Sequence, residues 1–232
     1  MRVNKWGIGV VLAAAVMLTG CAAPADKPAD EKPSSSSTEE TTAPSSDCPE
    51  LAEGATVDIV ALSTCATENM KDAAGYAATS NTLGMESTVR HNPKTEATEL
   101  ISPMGSMIVI GDEAWVKSTG EWQVADTASS DPIIAGLSSA AETANTMDPA
   151  TAAAALNGEF TVTGTGERLG KKVFIVSGTT EQEGVSVDAT FEVTEDYIIL
   201  ATTTSAEVSG QAIESVLEIT DWDVAQDIVA PL

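Results

Sequence analysis

The stretch Val185-Ser186-Val187-Asp188-Ala189-Thr190-Phe191-Glu192-Val193-Thr194 decides the fold class. Its apolar residues occupy every second position, and successive strand side chains point to opposite faces, so it reads as a β-strand with one apolar and one wet face. The same period returns at Ile213, Ser215, Leu217 and Ile219 against Glu214, Val216, Glu218 and Thr220. Upstream, Phe160-Thr161-Val162-Thr163 and Val173-Phe174-Ile175-Val176 are joined by a Gly-rich turn. Earlier still, Met107 to Ile110 and Ala114 to Val116 flank Gly111-Asp112-Glu113, and a turn at Ser118-Thr119-Gly120 leads into Trp122-Gln123-Val124. That is a meander of antiparallel strands.

Helical spacing occurs in two places. From Val57 to Lys71 the apolar positions Val57, Val60, Ala61 and Thr64-Cys65 mark one amphipathic helix that opens the domain. Asp131-Pro132 and Asp148-Pro149 each set an N-cap residue before a proline suited to the first helical turn. The fold class is therefore α+β, with a large antiparallel sheet covered by helices.

The chain of 232 residues begins with Arg2 and Lys5, followed by an apolar run from Trp6 to Leu18. That order is the order of an export signal, and the run is short for a membrane span. Leu18-Thr19-Gly20-Cys21 follows it and resembles the bacterial lipobox, which implies removal of residues 1–20 and lipidation (palmitate or a similar acyl group) of Cys21. Residues 22–47 consist only of Ala, Ser, Pro, Thr, Asp, Glu and Lys. A segment without aliphatic or aromatic bulk has nothing to bury, so 21–47 reads as a lipidated disordered tether, reaching about 28 Å root-mean-square. Residues 48–232 remain to fold as one domain.

After export, 9 Lys+Arg would face 35 Asp+Glu, a net charge of −26 (9 − 35). A polyanion does not neutralise phosphates, so nucleic acid is excluded as a partner. With Cys21 consumed by lipid, Cys48 and Cys65 remain as an even pair in an oxidising compartment, which predicts a disulfide closing a loop of 17 residues.

Catalytic and cofactor motifs are sparse. Gly164-Thr165-Gly166 with Gly170 has the wrong spacing for a dinucleotide loop, and Lys171 to Val176 reads as strand where that loop needs a helix. Asp221 and Asp223 lack calcium-loop spacing, no G-x-S-x-G occurs, and a single histidine, His91 in the turn-like Arg90-His91-Asn92-Pro93, builds no zinc site. The expectation is a protein without metal or cofactor and not an enzyme. The abundance of acids leaves carboxylate-pair hydrolysis as the catalytic route with its parts present.

Two segments carry a family resemblance. Ile108-Val109-Ile110-Gly111-Asp112-Glu113-Ala114-Trp115-Val116-Lys117 with Gly120-Glu121-Trp122, and Ile219-Thr220-Asp221-Trp222 with Asp227-Ile228-Val229-Ala230-Pro231, resemble the central hairpin and last strand of the actinobacterial LppX and LprG lipoproteins, which share a LolA-like fold. The resemblance implies a half-barrel sheet with helices over its open side and an apolar hollow that binds or carries the acyl chains of a lipid or glycolipid. It also implies a location on the outer face of the cell membrane, anchored through Cys21. The positions that alternation and helical pattern offer to such a hollow are Val109, Trp115, Ile133, Ile134, Leu137, Leu156, Val187, Ala189 and Phe191. The same stripes describe a filled core equally well. A tethered sensor or protein-interaction module of the envelope, with no lipid ligand, is the reading from the other class.

Overall fold

The computed structural model describes residues 48–144, 158–182, 184–208 and 210–231. The signal segment, Cys21, the tether, the Asp148-Pro149 helix start and Leu156 lie outside the described residues. In chain order the elements are β1 (Thr56–Val57), α1 (Ile59–Lys71), β2 (Tyr76–Thr82), β3 (Met85–Asn92), a 3-10 turn (Pro93–Thr95), β4 (Ala97–Ser102), β5 (Gly105–Ile110), β6 (Glu113–Lys117) and β7 (Gln123–Val124). Then come α2 (Pro132–Ala144), β8 (Phe160–Arg168), β9 (Lys171–Gln182), β10 (Val185–Thr194), β11 (Ile199–Val208) and β12 (Gln211–Trp222).

All twelve described strands form one open sheet in the order β1-β8-β9-β10-β11-β12-β2-β3-β4-β5-β6-β7, every pairing antiparallel. This is the α+β architecture expected, a large antiparallel sheet with helices. Most neighbours are hairpins closed by short turns, such as β5 to β6, where Ile110 pairs with Glu113 and Gly111 supplies a φ of +56°. The exceptions are β1 with β8 and β12 with β2. The last strand lies at the middle of the sheet, with Ile219 opposite Ala78. It joins two meanders into a single layer.

Local chemistry explains the helix starts. The Asp58 carboxylate accepts from the backbone N–H of Val60 (2.9 Å) and Ala61 (3.1 Å), so α1 begins at Ile59. Val57, expected inside the helix, belongs to β1 and pairs with Phe160. The buried stripe of α1 is Ile59, Leu62, Cys65 and Ala66, about 100° round from the one read in sequence, because one residue turns a helix by that angle. Asp131 caps α2 in the same manner, accepting from Ile133 N at 2.9 Å. Residues 90–92, expected as a turn, are the end of β3, and the chain turns one residue later at Pro93.

Cross-strand partners share a face, so the register fixes where the helices sit. Val176, Phe191, Thr202, Leu217, Ser80 and Ser87 are successive partners across β9 to β3. Ile219, Ala78, Val89, Leu100, Met107 and Val116 form the parallel row that runs on to β6. Leu217 and Ile219 have the same parity, so both rows lie on one face. The residues α1 packs against at one end (Phe160, Val162, Val176, Ala189, Phe191) and those α2 packs against at the other (Met107, Val109, Val116) are all on that face. Both helices thus cover the same side, called the inner face below. The C-terminal segment after β12 is fastened by a pair of bonds between Asn92 and Gln226, at 2.7 and 2.8 Å.

Cys48 and Cys65 are joined in a disulfide with a Cα separation of 5.8 Å. The bridge ties the start of the described chain to the buried side of α1. Tyr197, in the β10 to β11 turn, adds a hydrogen bond from its hydroxyl to Pro49 O at 3.1 Å.

Candidate functional site on the inner face

Three clusters of apolar side chains divide the inner face. Ile59 and Leu62 of α1 join Phe160, Val162, Ala189 and Phe191, whose rings meet at 5.9 Å with Phe160. A second cluster gathers Ala78, Ile198, Leu200 and Ile219, with Met70, Tyr76 and Trp222 packed against it. The third sets Ile134 and Ala141 of α2 on Met107, Val109 and Val116. Between the helix-bound ends the floor consists of small hydroxyl residues: Thr202, Thr204, Ser80 and Ser87 are half-buried, and the Thr82 and Ser215 hydroxyls bond each other at 2.7 Å. Ile213 and Leu217 rise from this floor and, among the described residues, belong to none of the three clusters.

The row toward the hairpin tips runs Thr180, Val187, Ala206, Ile213. Thr180 is 1% exposed and its hydroxyl has no hydrogen-bond partner. A buried hydroxyl without a partner costs about 1–3 kcal/mol, so this atom is a standing demand for an acceptor or donor on the inner face. At the opposite end of the same face Tyr76 stacks on Trp222 (6.2 Å between centroids) and tilts against His91 (5.3 Å). Burial pushes the Tyr76 phenol up to about 12 and the His91 imidazole below its ordinary value, while His91 Nδ1 and Thr98 Oγ1 stand 2.8 Å apart. The outer face is wet and charged. There Arg168 holds Glu192 at 2.7 Å and Glu218 at 2.9 Å, and Arg90 pairs with the buried Glu99.

The candidate hollow positions are not brought together. Ala189 and Phe191 lie under α1, whereas Val109, Ile134 and Leu137 belong to the α2 cluster at the far end. Val187 is buried on the inner face near Thr180. Trp115 is buried on the outer side, since it pairs with Ile108 while its neighbour Ala114 pairs with Val109. Ile133 points away from the sheet and is 40% exposed, because the buried stripe of α2 is Ile134, Ser138 and Ala141. Apart from Ser215, the hydroxyl floor is not legible in the sequence. Alternation assigns Ser and Thr to wet faces by default, although Ser215 between Ile213 and Leu217 carried the parity that places it inside.

Among the described residues no group of three or more His, Cys, Asp or Glu is placed to hold a metal ion. Gly164 and Gly166 lie within β8. Asp223 accepts from Ala74 N at 2.8 Å, so one of the paired acids is bound to backbone.

No protein-family model and no curated protein sequence matches the chain. The chain resembles mycobacterial lipoproteins in fold. It is similar to the lipoprotein LppX of Mycobacterium tuberculosis, at 13% identity over 74% of this chain and 98% of that one, with a TM-score of 0.49. LprF of Mycobacterium bovis has 10% identity over 75% and 96%, with a TM-score of 0.47. MucB, solved in complex with MucA(peri), has 12% identity over 71% of this chain and 55% of that one, with a TM-score of 0.38. LppX is one of the two lipoproteins named from the hairpin and closing strand in sequence. The likeness concerns the course of the chain.

Proposed function

We propose that this chain is an exported protein, anchored to the outer face of the cell membrane through acylated Cys21, whose domain of residues 48–232 holds the acyl part of a lipid or glycolipid against the inner face of its sheet. The observation that carries this reading is the floor between the two helix-bound clusters. Side chains no larger than Thr at Ser80, Ser87, Thr202 and Thr204 keep that floor low, and Ile213 and Leu217 give it apolar contact. An amphiphile suits such a mixture. Its hydrocarbon gains from burial against the half-buried Ile213 and Leu217, and its ester, hydroxyl or sugar oxygens offer a partner to the buried Thr180 hydroxyl. Binding of this kind needs no catalytic group.

Export is supported by the Cys48 to Cys65 disulfide, a bond that persists in oxidising compartments. Anchoring rests on Leu18-Thr19-Gly20-Cys21, and several acyl chains hold a protein on a bilayer where one is marginal. Cys21→Ala is expected to abolish fatty-acid labelling. The decisive experiment is mass spectrometry of an organic extract of the purified protein. Stoichiometric lipid beyond the covalent anchor is the expected result, and a lipid-free extract from gently purified protein refutes the carrier.

The second reading, a tethered protein-interaction module without lipid, is favoured by one observation only, a set of exposed apolar side chains at one edge of the sheet.

A further inference from the structure

We infer that this edge is a bilayer-contacting rim: the tips of the β2–β3 and β4–β5 hairpins, with the first turn of α2, dip into the membrane interface beside the open floor. Leu83 is 60% exposed at the first tip, followed by Met85 at 44%, and Met104 is 60% exposed at the second. Thr82 pairs with Met85 and Ser102 with Gly105, so each tip is a two-residue turn. Extending the β3–β4 register, in which Thr88 faces Ile101, brings Met85 level with Met104, about 10 Å separating the two hairpins at two strand spacings. The start of α2 stands at the same edge: Leu137 Cδ1 is 2.7 Å from where a Cβ on Gly105 would lie, and Ser118, just after β6, donates to Asp131 at 3.4 Å. That places Ile133, one turn above Leu137, in line with the tips.

The charge pattern selects the occupant. In a chain of net charge −24, residues 101–106 carry no charge and 81–87 carry only Glu86. The neighbouring tips of the same edge, β9–β10 and β11–β12, bear Glu181 and Glu207. Ile101, 46% exposed, lies near the same edge three residues before Met104, whereas Leu169 at the β8–β9 turn and Val229 in the tail stand elsewhere. Leu83 and Met104 on the turn tips, with Met85 and Ile133 beside them, are a small footprint for a stable protein interface, which takes roughly 800 Å² per partner. They are sufficient for a surface that a covalent anchor already keeps at high local concentration. The chain enters the domain near Tyr197, at the opposite end of the strands, so the tether must pass the domain's length; residues 22–47 span about 80 Å when extended, which permits it. The rim lies beside Thr82, Ser215 and Ile213, the open end of the floor. Lipid would then enter or leave at the bilayer without crossing water.

This inference rests on the anchored carrier proposed above, and its test separates the two. The full mature chain, made with Leu83→Cys, Met104→Cys or the control Leu169→Cys and labelled with a fluorophore without reduction, is reconstituted in phosphatidylcholine vesicles containing a quencher-bearing lipid. Melting temperatures unchanged from the parent certify the variants. Quenching several-fold greater at positions 83 and 104 than at 169 is expected. Equal quenching at all three, or none at 83 and 104, overturns the rim, as does protection of those labels by protein in native membranes but not by vesicles. Lipid in the extract with unquenched tips sinks the rim alone, whereas quenched tips with a lipid-free extract sink the carrier alone.

Discussion

Thr180→Val removes the unpartnered hydroxyl while keeping the shape and the strand preference of the side chain. Thr180 is buried opposite Val187, so the wild-type hydroxyl has left water without a replacement bond. That loss costs about 1–3 kcal/mol, and the variant recovers it when nothing else pairs with the oxygen. For a domain of this size each kcal/mol moves the melting temperature by about 2–4 °C, so lipid-stripped Thr180→Val should melt about 2–12 °C higher than wild type. Thr180→Ser is the control. It keeps the hydroxyl and loses a methyl group, so it should melt lower by the equivalent of about 1 kcal/mol. Calorimetry is then repeated on protein loaded with its lipid, where the wild-type hydroxyl has a partner and the advantage of valine shrinks or reverses. A stripped Thr180→Val protein that melts at or below wild type refutes the reasoning, because the hydroxyl is then already satisfied. An advantage that is identical with and without lipid shows that the ligand does not reach Thr180.

Three further outcomes are expected. Reducing Cys48–Cys65 frees two thiols for alkylation and removes about 3 kcal/mol of loop constraint, a fall in melting temperature of about 6–12 °C; thiols that react before reduction would contradict it. Ala189→Trp should destabilise the lipid-free domain by about 1–3 kcal/mol, since Ala189 is 2% exposed among Phe160, Phe191 and the α1 side chains, and an unchanged melting temperature would mean that space exists there after all. The pH profile should fall at both ends: His91, lowered by burial from 6.5, contributes stability present above 6.5 and lost as pH drops through its folded value, and Tyr76, raised from 10.0 to about 12, contributes stability present below 10 and lost as pH climbs toward 12. Calorimetry across pH on His91→Asn and Tyr76→Phe checks each limb, and a limb that persists in its variant assigns the loss to another group.

What could be read without the fold was whatever neighbouring residues decide. Alternation in Val185 to Thr194 determined a strand with one apolar face, and the strand is there. Asp131-Pro132 determined a helix start, because a carboxylate and a preset φ act within one turn. Cysteine parity determined the partner of Cys65. The tertiary structure alone decided the rest. Pairing β12 with β2 joins residues from opposite ends of the domain, and no local period encodes which strand meets which across such a distance. Parity within a strand says which residues share a face but not what covers it, so Val109 fell under α2 and Ala189 under α1, while Trp115 went to the other side. The stripe of α1 turned because Asp58 claimed the cap and Val57 was taken by Phe160 in β1. Thr204 and Thr180 look solvent-facing by composition, and only Ser215 carries a parity that places it with apolar neighbours. They became the inner floor because the register pairs Thr180 with Val187, Thr204 with Ala189 and Ser215 with Thr204, all on the side both helices cover.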